Sequence, residues 1–270
     1  MNIVVDGIDH HVELCGDGFP LLLLHGFTGS GSTWMPFCER WGRHSRLIMP
    51  DIIGHGKTDS PVELERYSIQ SVARDLNEIL NKLNVEKTDL LGYSMGGRLA
   101  LTFALLYPDR VRKLVLVSAS PGLSSENDRE IRRMNDANLA NFIIEEGVPA
   151  FVSRWESIPL FKSMEQLPQS VNAAIRAQRL QNSSNGLSNS LIGMGTGSQP
   201  SWWQHLKDLS CEVLLVTGSM DEKFCLIAEN MQNMIKNVSW MSIIEGGHAI
   251  HVEKSEIFGT IVSEFLSNTY

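Results

Sequence analysis

Short aliphatic runs recur along the chain, at Leu21–Leu24, Arg46–Met49, Asp89–Leu91, Lys113–Val117 and Glu212–Val216, each reaching Gly, Asp or Ser within two residues. They are apolar without alternation, which is the pattern of strands covered on both faces of a parallel sheet. Between them the spacing turns helical over Ser71–Leu83 and Arg98–Tyr107, where Pro108 supplies a stop. Val238–Ile244 reads as a last strand and Glu253–Leu266 as a closing helix. Strands alternating with helices predict right-handed βαβ units and a single α/β fold built on a mostly parallel sheet.

The alternation breaks from about Pro121 to Pro200. Glu126–Glu146 carries Ile131, Met134, Leu139, Phe142 and Ile143 at roughly helical spacing, and further helical patches surround Trp155 and Ala173–Leu180. A Ser/Asn/Gly-rich passage, Asn182–Pro200, follows. The expected organisation is a core formed by residues 1–120 and 201–270, interrupted by a helical insertion over 121–200. An insertion between two sheet strands is placed to act as a lid, and the plainer alternative is an extra helical layer with no role in function.

A chain of 270 residues can bury a large core without disulfides or a structural metal. Its net charge of −8 argues against a general nucleic-acid binder, which would carry a basic face. The four cysteines, Cys15, Cys38, Cys211 and Cys225, show no C-x-x-C pair and no His at zinc-ligand spacing. Free thiols in a reducing compartment and no metal site are the expectation. Met1–Asp6 has no basic residue ahead of an apolar run, and no aliphatic stretch approaches the ~20 residues that span a bilayer. These features predict a soluble, cytoplasmic protein.

The candidate chemistry lies at strand ends. Gly92-Tyr93-Ser94-Met95-Gly96 follows one strand and precedes a helix, the G-x-S-x-G arrangement in which a sharp turn holds the serine exposed above the sheet. A serine used this way needs a histidine, and the histidine needs a carboxylate that fixes its tautomer. Asp221 and His248 lie just beyond the last two strands, in the order Ser, acid, His. Asp208 precedes its strand and so falls at the wrong end, and His251 reads as structural. The backbone N–H groups of Met95 and Phe27 are the expected oxyanion donors, Phe27 lying in the loop Leu24-His25-Gly26-Phe27-Thr28-Gly29. His25 and His55 read as loop architecture.

Taken together these features resemble the α/β-hydrolase superfamily. Gly92–Arg98, Ser120–Leu123, Gly195–Pro200 and Asp221–Phe224 narrow the resemblance to the 2-succinyl-6-hydroxy-2,4-cyclohexadiene-1-carboxylate synthases of menaquinone biosynthesis. The resemblance implies a lyase that eliminates pyruvate from a tricarboxylate, with no cofactor, and a serine that acts as a base. It also implies substrate-binding arginines at Arg98, Arg132 and Arg179, with Arg176 the alternative to Arg179, and a lid aromatic at Trp155. Tyr93 either places its hydroxyl near the oxyanion or serves packing alone. Arg129 and Arg133 read equally as anion ligands or as a solvated face with ordinary ion pairs, since Glu126, Asp128, Glu130 and Asp136 flank the cluster. A small anionic substrate is the expected partner. A serine esterase or C–C bond hydrolase is the competing reading, and a non-catalytic ligand-binding member of the fold is the remote one.

Overall fold

The computed structural model describes residues 1–267. Eight strands form one sheet: β1 (Asn2–Val5), β2 (Ile8–Cys15), β3 (Phe19–Leu24), β4 (Ser45–Pro50), β5 (Thr88–Tyr93), β6 (Val111–Val117), β7 (Glu212–Gly218) and β8 (Val238–Ile243). Their spatial order is β1-β2-β4-β3-β5-β6-β7-β8. From β4 to β8 every pairing is parallel. β1 and β2, which the aliphatic-run pattern does not mark, form an antiparallel hairpin on the edge. They are alternating strands: Ile8, His10 and Val12 are buried while Asp9, His11 and Glu13 are more exposed.

The central runs are apolar throughout because both faces are covered. Leu22 and Leu24 of β3 pack with Leu90, Leu114 and Leu215 on one side. Leu21 and Leu23 pack with Leu91, Val115 and Val216 on the other. All four leucines of β3 are fully buried, and each contributes roughly 1.5–3 kcal/mol relative to exposure. The sheet is flanked by α1 (Cys38–Trp41), α2 (Ile69–Lys82), α3 (Met95–Leu106), α7 (Glu222–Gln232), α8 (Ile250–Glu253) and α9 (Ser255–Ser267), and α2 starts where the Ser68 hydroxyl accepts from the Ser71 N–H. The closing helical region expected over Glu253–Leu266 is thus two pieces, a short turn and a helix.

Between β6 and β7 lie α4 (Glu126–Glu156), α5 (Gln169–Arg179) and α6 (Ser184–Met194). The pattern that predicts a helix to Glu146 continues to Glu156, with a break at Gly147, whose φ of 78° and ψ of 170° leave the helical region. The Ser/Asn/Gly-rich passage is largely α6, begun by the Ser183 hydroxyl accepting from the Gly186 N–H. Ala140, Ile143, Phe151 and Val152 of α4 pack on Leu187 and Leu191 of α6, giving this segment an apolar centre of its own.

The expectation of four free thiols is corrected. Cys15, at the end of β2, is bonded to Cys38, at the start of α1, and only Cys211 and Cys225 are free. The two partners are 23 residues apart in sequence, so spacing alone does not reveal a contact made by folding. Among the described residues no helix is long and apolar enough to cross a membrane.

Candidate active site

The strand order reverses direction around β3, with β4 on one side and β5 on the other. Crevices at the carboxyl ends of strands beside such a switch are where open α/β sheets bind ligands. Ser94 stands there, in the turn from β5 to α3, with φ 52° and ψ −108°, a conformation that strains any residue with a side chain. Its N–H donates to the Val117 carbonyl at 2.8 Å, tying the turn to the end of β6. The turn is tight enough that a Cβ on Gly92 would strike the Gly96 backbone, and one on Gly96 would strike the carbonyls of Leu24 and His25. Glycine at both positions is what lets the elbow close against β3.

Asp221 follows β7 and caps α7, one carboxylate oxygen accepting from the Phe224 N–H at 3.4 Å. Its other oxygen lies 2.7 Å from Nδ1 of His248, and Nε2 of His248 lies 3.0 Å from Oγ of Ser94. The carboxylate holds the imidazole as the tautomer protonated on Nδ1, so Nε2 accepts from the serine hydroxyl. Asp221 and His248 are buried. The loop carrying His248 is itself clamped: Glu253 accepts from the Gly247 and Ala249 N–H groups at 2.7 and 3.0 Å, and the Ser118 hydroxyl donates to the His248 carbonyl at 3.1 Å. Sequence reasoning missed Glu253 and Ser118, and no motif marks either.

Met95 occupies the first turn of α3, where a backbone N–H has no acceptor within the helix. The loop bearing Phe27 is shaped by His25. Nδ1 of His25 donates to the Gly26 carbonyl at 2.8 Å while Nε2 accepts from the Ile52 N–H at 2.9 Å. Both nitrogens are therefore occupied, and burial lowers the His25 pKa to about 4, which keeps it neutral.

Ser94, His248, Phe27, Met95, Tyr93, Trp155, Arg98 and Arg132 all line one cavity of about 190 Å³. Arg98 donates to the Met194 carbonyl at 2.6 Å and to Oε1 of Gln199 at 2.5 Å. Burial, and then the neighbouring Arg132, lower its pKa to about 10, so it stays cationic at neutral pH. Arg132 donates through Nε to Asp136 at 2.8 Å. Burial raises the Asp136 carboxyl above its ordinary range, opposed by Arg132 and Arg98. Asp136 and Gln199 are therefore the residues that aim the two arginines; the sequence marks Asp136 only as one of the acids flanking the arginine cluster and Gln199 only as part of the Gly195–Pro200 motif. The i, i+4 spacing of Arg132 and Asp136 was the available signal for the first.

Arg179 is not in this cavity. It lines a separate chamber of about 460 Å³ that shares the Phe27, Tyr93 and Phe161 walls with the first. It is buried, bonded to Glu156 at 3.2 Å, with its guanidinium 5.2 Å from the Phe161 ring. Arg176 pairs with the same carboxylate and is more exposed. Arg129 and Arg133 both pair with Glu126 on the outer surface of α4. Tyr93 is buried, its ring 5.4 Å from that of His248, and burial pushes its hydroxyl pKa far up. The Trp155 ring stands 5.4 Å from that of Phe27.

A sheet of this order, a serine on a strained elbow and a histidine–carboxylate pair beyond later strands define a class. The alpha/beta hydrolase fold family matches residues 20–255, and the chain belongs to it and, within it, to the 2-succinyl-6-hydroxy-2,4-cyclohexadiene-1-carboxylate synthases. It is 47% identical to a Bacillus subtilis (strain 168) protein named provisionally as that synthase, over 99% of this chain and 98% of that one. The solved structure of MenH from S. aureus superposes with a TM-score of 0.91 at 35% identity, covering 95% of this chain and 97% of that one. A 2-hydroxy-6-oxo-2,4-heptadienoate hydrolase from Pseudomonas putida is 28% identical over 98% of this chain and 95% of that protein.

Proposed function

We propose that this chain eliminates pyruvate from 2-succinyl-5-enolpyruvyl-6-hydroxy-3-cyclohexene-1-carboxylate to give 2-succinyl-6-hydroxy-2,4-cyclohexadiene-1-carboxylate, a step of menaquinone biosynthesis. The observation that carries the reading is that Arg98 and Arg132 line the same cavity as Ser94 and His248. A substrate with three carboxylates needs fixed cations beside the base, and guanidinium forks suit carboxylates better than ammonium groups do.

His248, oriented by Asp221, takes the Ser94 proton, and Ser94 takes the ring proton next to the succinyl carbonyl. The electrons of that C–H bond move into the conjugated system, and the charge that develops on the carbonyl oxygen is met by the N–H groups of Met95 and Phe27. At the far end of the system the ring C–O bond breaks. The departing enolpyruvate takes up the proton and becomes pyruvate, so no oxidant, water or cofactor is consumed. Residues 121–200 act as the lid, contributing Arg132 and Trp155. The biosynthetic relatives support a cytoplasmic enzyme, although the Cys15–Cys38 bond removes the argument from free thiols.

The competing hydrolase reading uses the same triad with water. Supplying the enolpyruvyl substrate and coupling pyruvate release to lactate dehydrogenase, alongside cleavage of a short-chain p-nitrophenyl ester, separates the two. Pyruvate release with weak ester cleavage is expected. Rapid ester turnover without pyruvate would overturn the lyase reading.

A further inference from the structure

The two oxyanion donors are held in different ways. The Met95 N–H belongs to α3, whereas the Phe27 N–H lies in the connection that follows β3. Phe27 and Thr28 are the middle residues of a turn closed by the Gly29 N–H, which donates to the Gly26 carbonyl at 3.0 Å. Thr28 has a φ of 71°, as the third residue of a type II turn does, a place where glycine or asparagine is the rule. Among the described residues it is the only β-branched residue with a positive φ. Such a conformation costs about 1–3 kcal/mol and persists only where the surroundings over-determine it.

The grip on this turn comes from the insertion. Asn182, just beyond α5 and only 7% exposed, donates through Nδ2 to the Thr28 carbonyl at 2.9 Å and to the Arg179 carbonyl at 3.0 Å. Its Oδ1 accepts from the Gly56 N–H at 3.0 Å, in the connection that follows β4. Both N–H groups of the amide and its oxygen are in use, which fixes the way it faces. Asp51 ties the same two connections from the core side, accepting from the Gly31 and Lys57 N–H groups at 2.6 and 2.8 Å. That hold falls beyond the turn, as does the hold of Gln178 on the Ser30 and Ser32 hydroxyls at 2.7 and 2.8 Å. Asn182 instead bonds the carbonyl of the strained residue itself.

We propose that Asn182 is a positioning residue of the oxyanion hole: from the insertion it keeps the Gly26–Gly29 turn in its strained form and so places the Phe27 N–H. The inference rests on the function proposed above, in which that N–H is the second donor. A Thr28 relaxed to negative φ converts the turn to type I, with the Phe27–Thr28 peptide turned over, and the residue that carries the donor moves with it. Oxyanion donors act on charge that develops in the transition state, so their displacement lowers kcat and spares substrate affinity. The insertion thereby enters the chemistry through main-chain geometry in the core, in addition to the side chains it brings to the cavity.

The test is a cycle of Asn182→Ala, Thr28→Gly and the double variant in the intact enzyme, read by pyruvate release. Asn182→Ala should lower kcat about 30-fold, short of the ~10²–10³-fold that follows complete loss of such a donor, with KM within about threefold of wild type. Thr28→Gly lifts the penalty for positive φ, so the double variant should recover most of that loss. Ser60→Ala breaks the neighbouring contact between core and insertion, the Ser183 hydroxyl donating to that of Ser60 at 2.9 Å, and should leave kcat within about twofold. A rise in KM shared by Asn182→Ala and Ser60→Ala, or a double variant no faster than Asn182→Ala, would make Asn182 a docking contact of the insertion and overturn the assignment. Should Asn182→Ala not fold, Asn182→Asp replaces it. Its carboxyl donates to the Thr28 carbonyl only when protonated, so its kcat relative to wild type should climb as the pH falls, and a flat ratio counts against the assignment. Pyruvate release at wild-type kcat in Asn182→Ala would discard the Asn182 role and keep the elimination. The expected pattern on p-nitrophenyl acetate, with no pyruvate released from the enolpyruvyl substrate, would do the reverse. A protein that turns over neither substrate loses both.

Discussion

Ser94, Asp221 and His248 are each anchored through backbone N–H groups: that of Ser94 on the Val117 carbonyl, that of Phe224 on the Asp221 carboxylate, and those of Gly247 and Ala249 on the Glu253 carboxylate. Arg132, Arg176 and Arg179, in the insertion, are set by carboxylate side chains, Asp136 and Glu156. The first kind of support ties each residue to backbone groups at strand ends and helix starts. The second is exchanged by a rotamer change, one carboxylate for another. The relay is thus assembled in the ligand-free structure, whereas each of these insertion arginines already holds an internal carboxylate.

Substitutions on the two sides should therefore fail differently. Ser94→Ala should lower the elimination kcat by about 10⁴-fold or more, with substrate binding retained. Asp221→Asn should cost about 10³- to 10⁴-fold in kcat, because the amide stabilises the wrong imidazole tautomer. Arg98→Ala should lower kcat/KM by about 100-fold, chiefly through KM, the loss of a charge-assisted bond. Steady-state kinetics with pyruvate detection reads all three. A fall in kcat at constant KM for Arg98→Ala would erase the distinction between relay and clamp.

Protonation of buried histidines should act on the core alone. His10, His25, His55 and His251 have pKa values lowered by burial to about 4, 4, 3 and 3, whereas residues 121–200 contain no histidine. Each buried imidazole is neutral in the folded chain and takes up a proton near pH 6.5 once unfolded. Stability is thus complete above about pH 6.5 and falls as the pH drops toward 4, by about 1.4 kcal/mol per pH unit for each group. Guanidinium unfolding at pH 7.5 and 5.5 measures this, and equal midpoints would refute it. The smallest effect should come from Glu126→Gln, which breaks only the outer pairs with Arg129 and Arg133 and should change KM less than about twofold.

Where the chain reads locally, the sequence predicts it well. The doubly covered strands announce themselves as unbroken aliphatic runs, and Ser94, Asp221 and His248 sit at strand ends that those runs delimit. The β1–β2 hairpin escaped because its alternating pattern includes a buried histidine, His10, at an inward position. Gly147 breaks α4 within a stretch whose apolar spacing continues unchanged. Contacts between distant segments were not legible: the Cys15–Cys38 bond, the Gln199 side chain on Arg98, and the placement of Arg179 in the neighbouring chamber. Each depends on which elements become neighbours, and periodicity carries no information about that.

The backbone of Ser94 has a consequence for how such a chain can change. Its φ of 52° and ψ of −108° cost about 1–3 kcal/mol for a residue with a side chain, and glycine would relieve most of that. A search for heat-resistant variants of this protein would therefore reward the loss of its hydroxyl, and thermal selection applied without an activity screen would drift toward well-folded, silent molecules at residue 94.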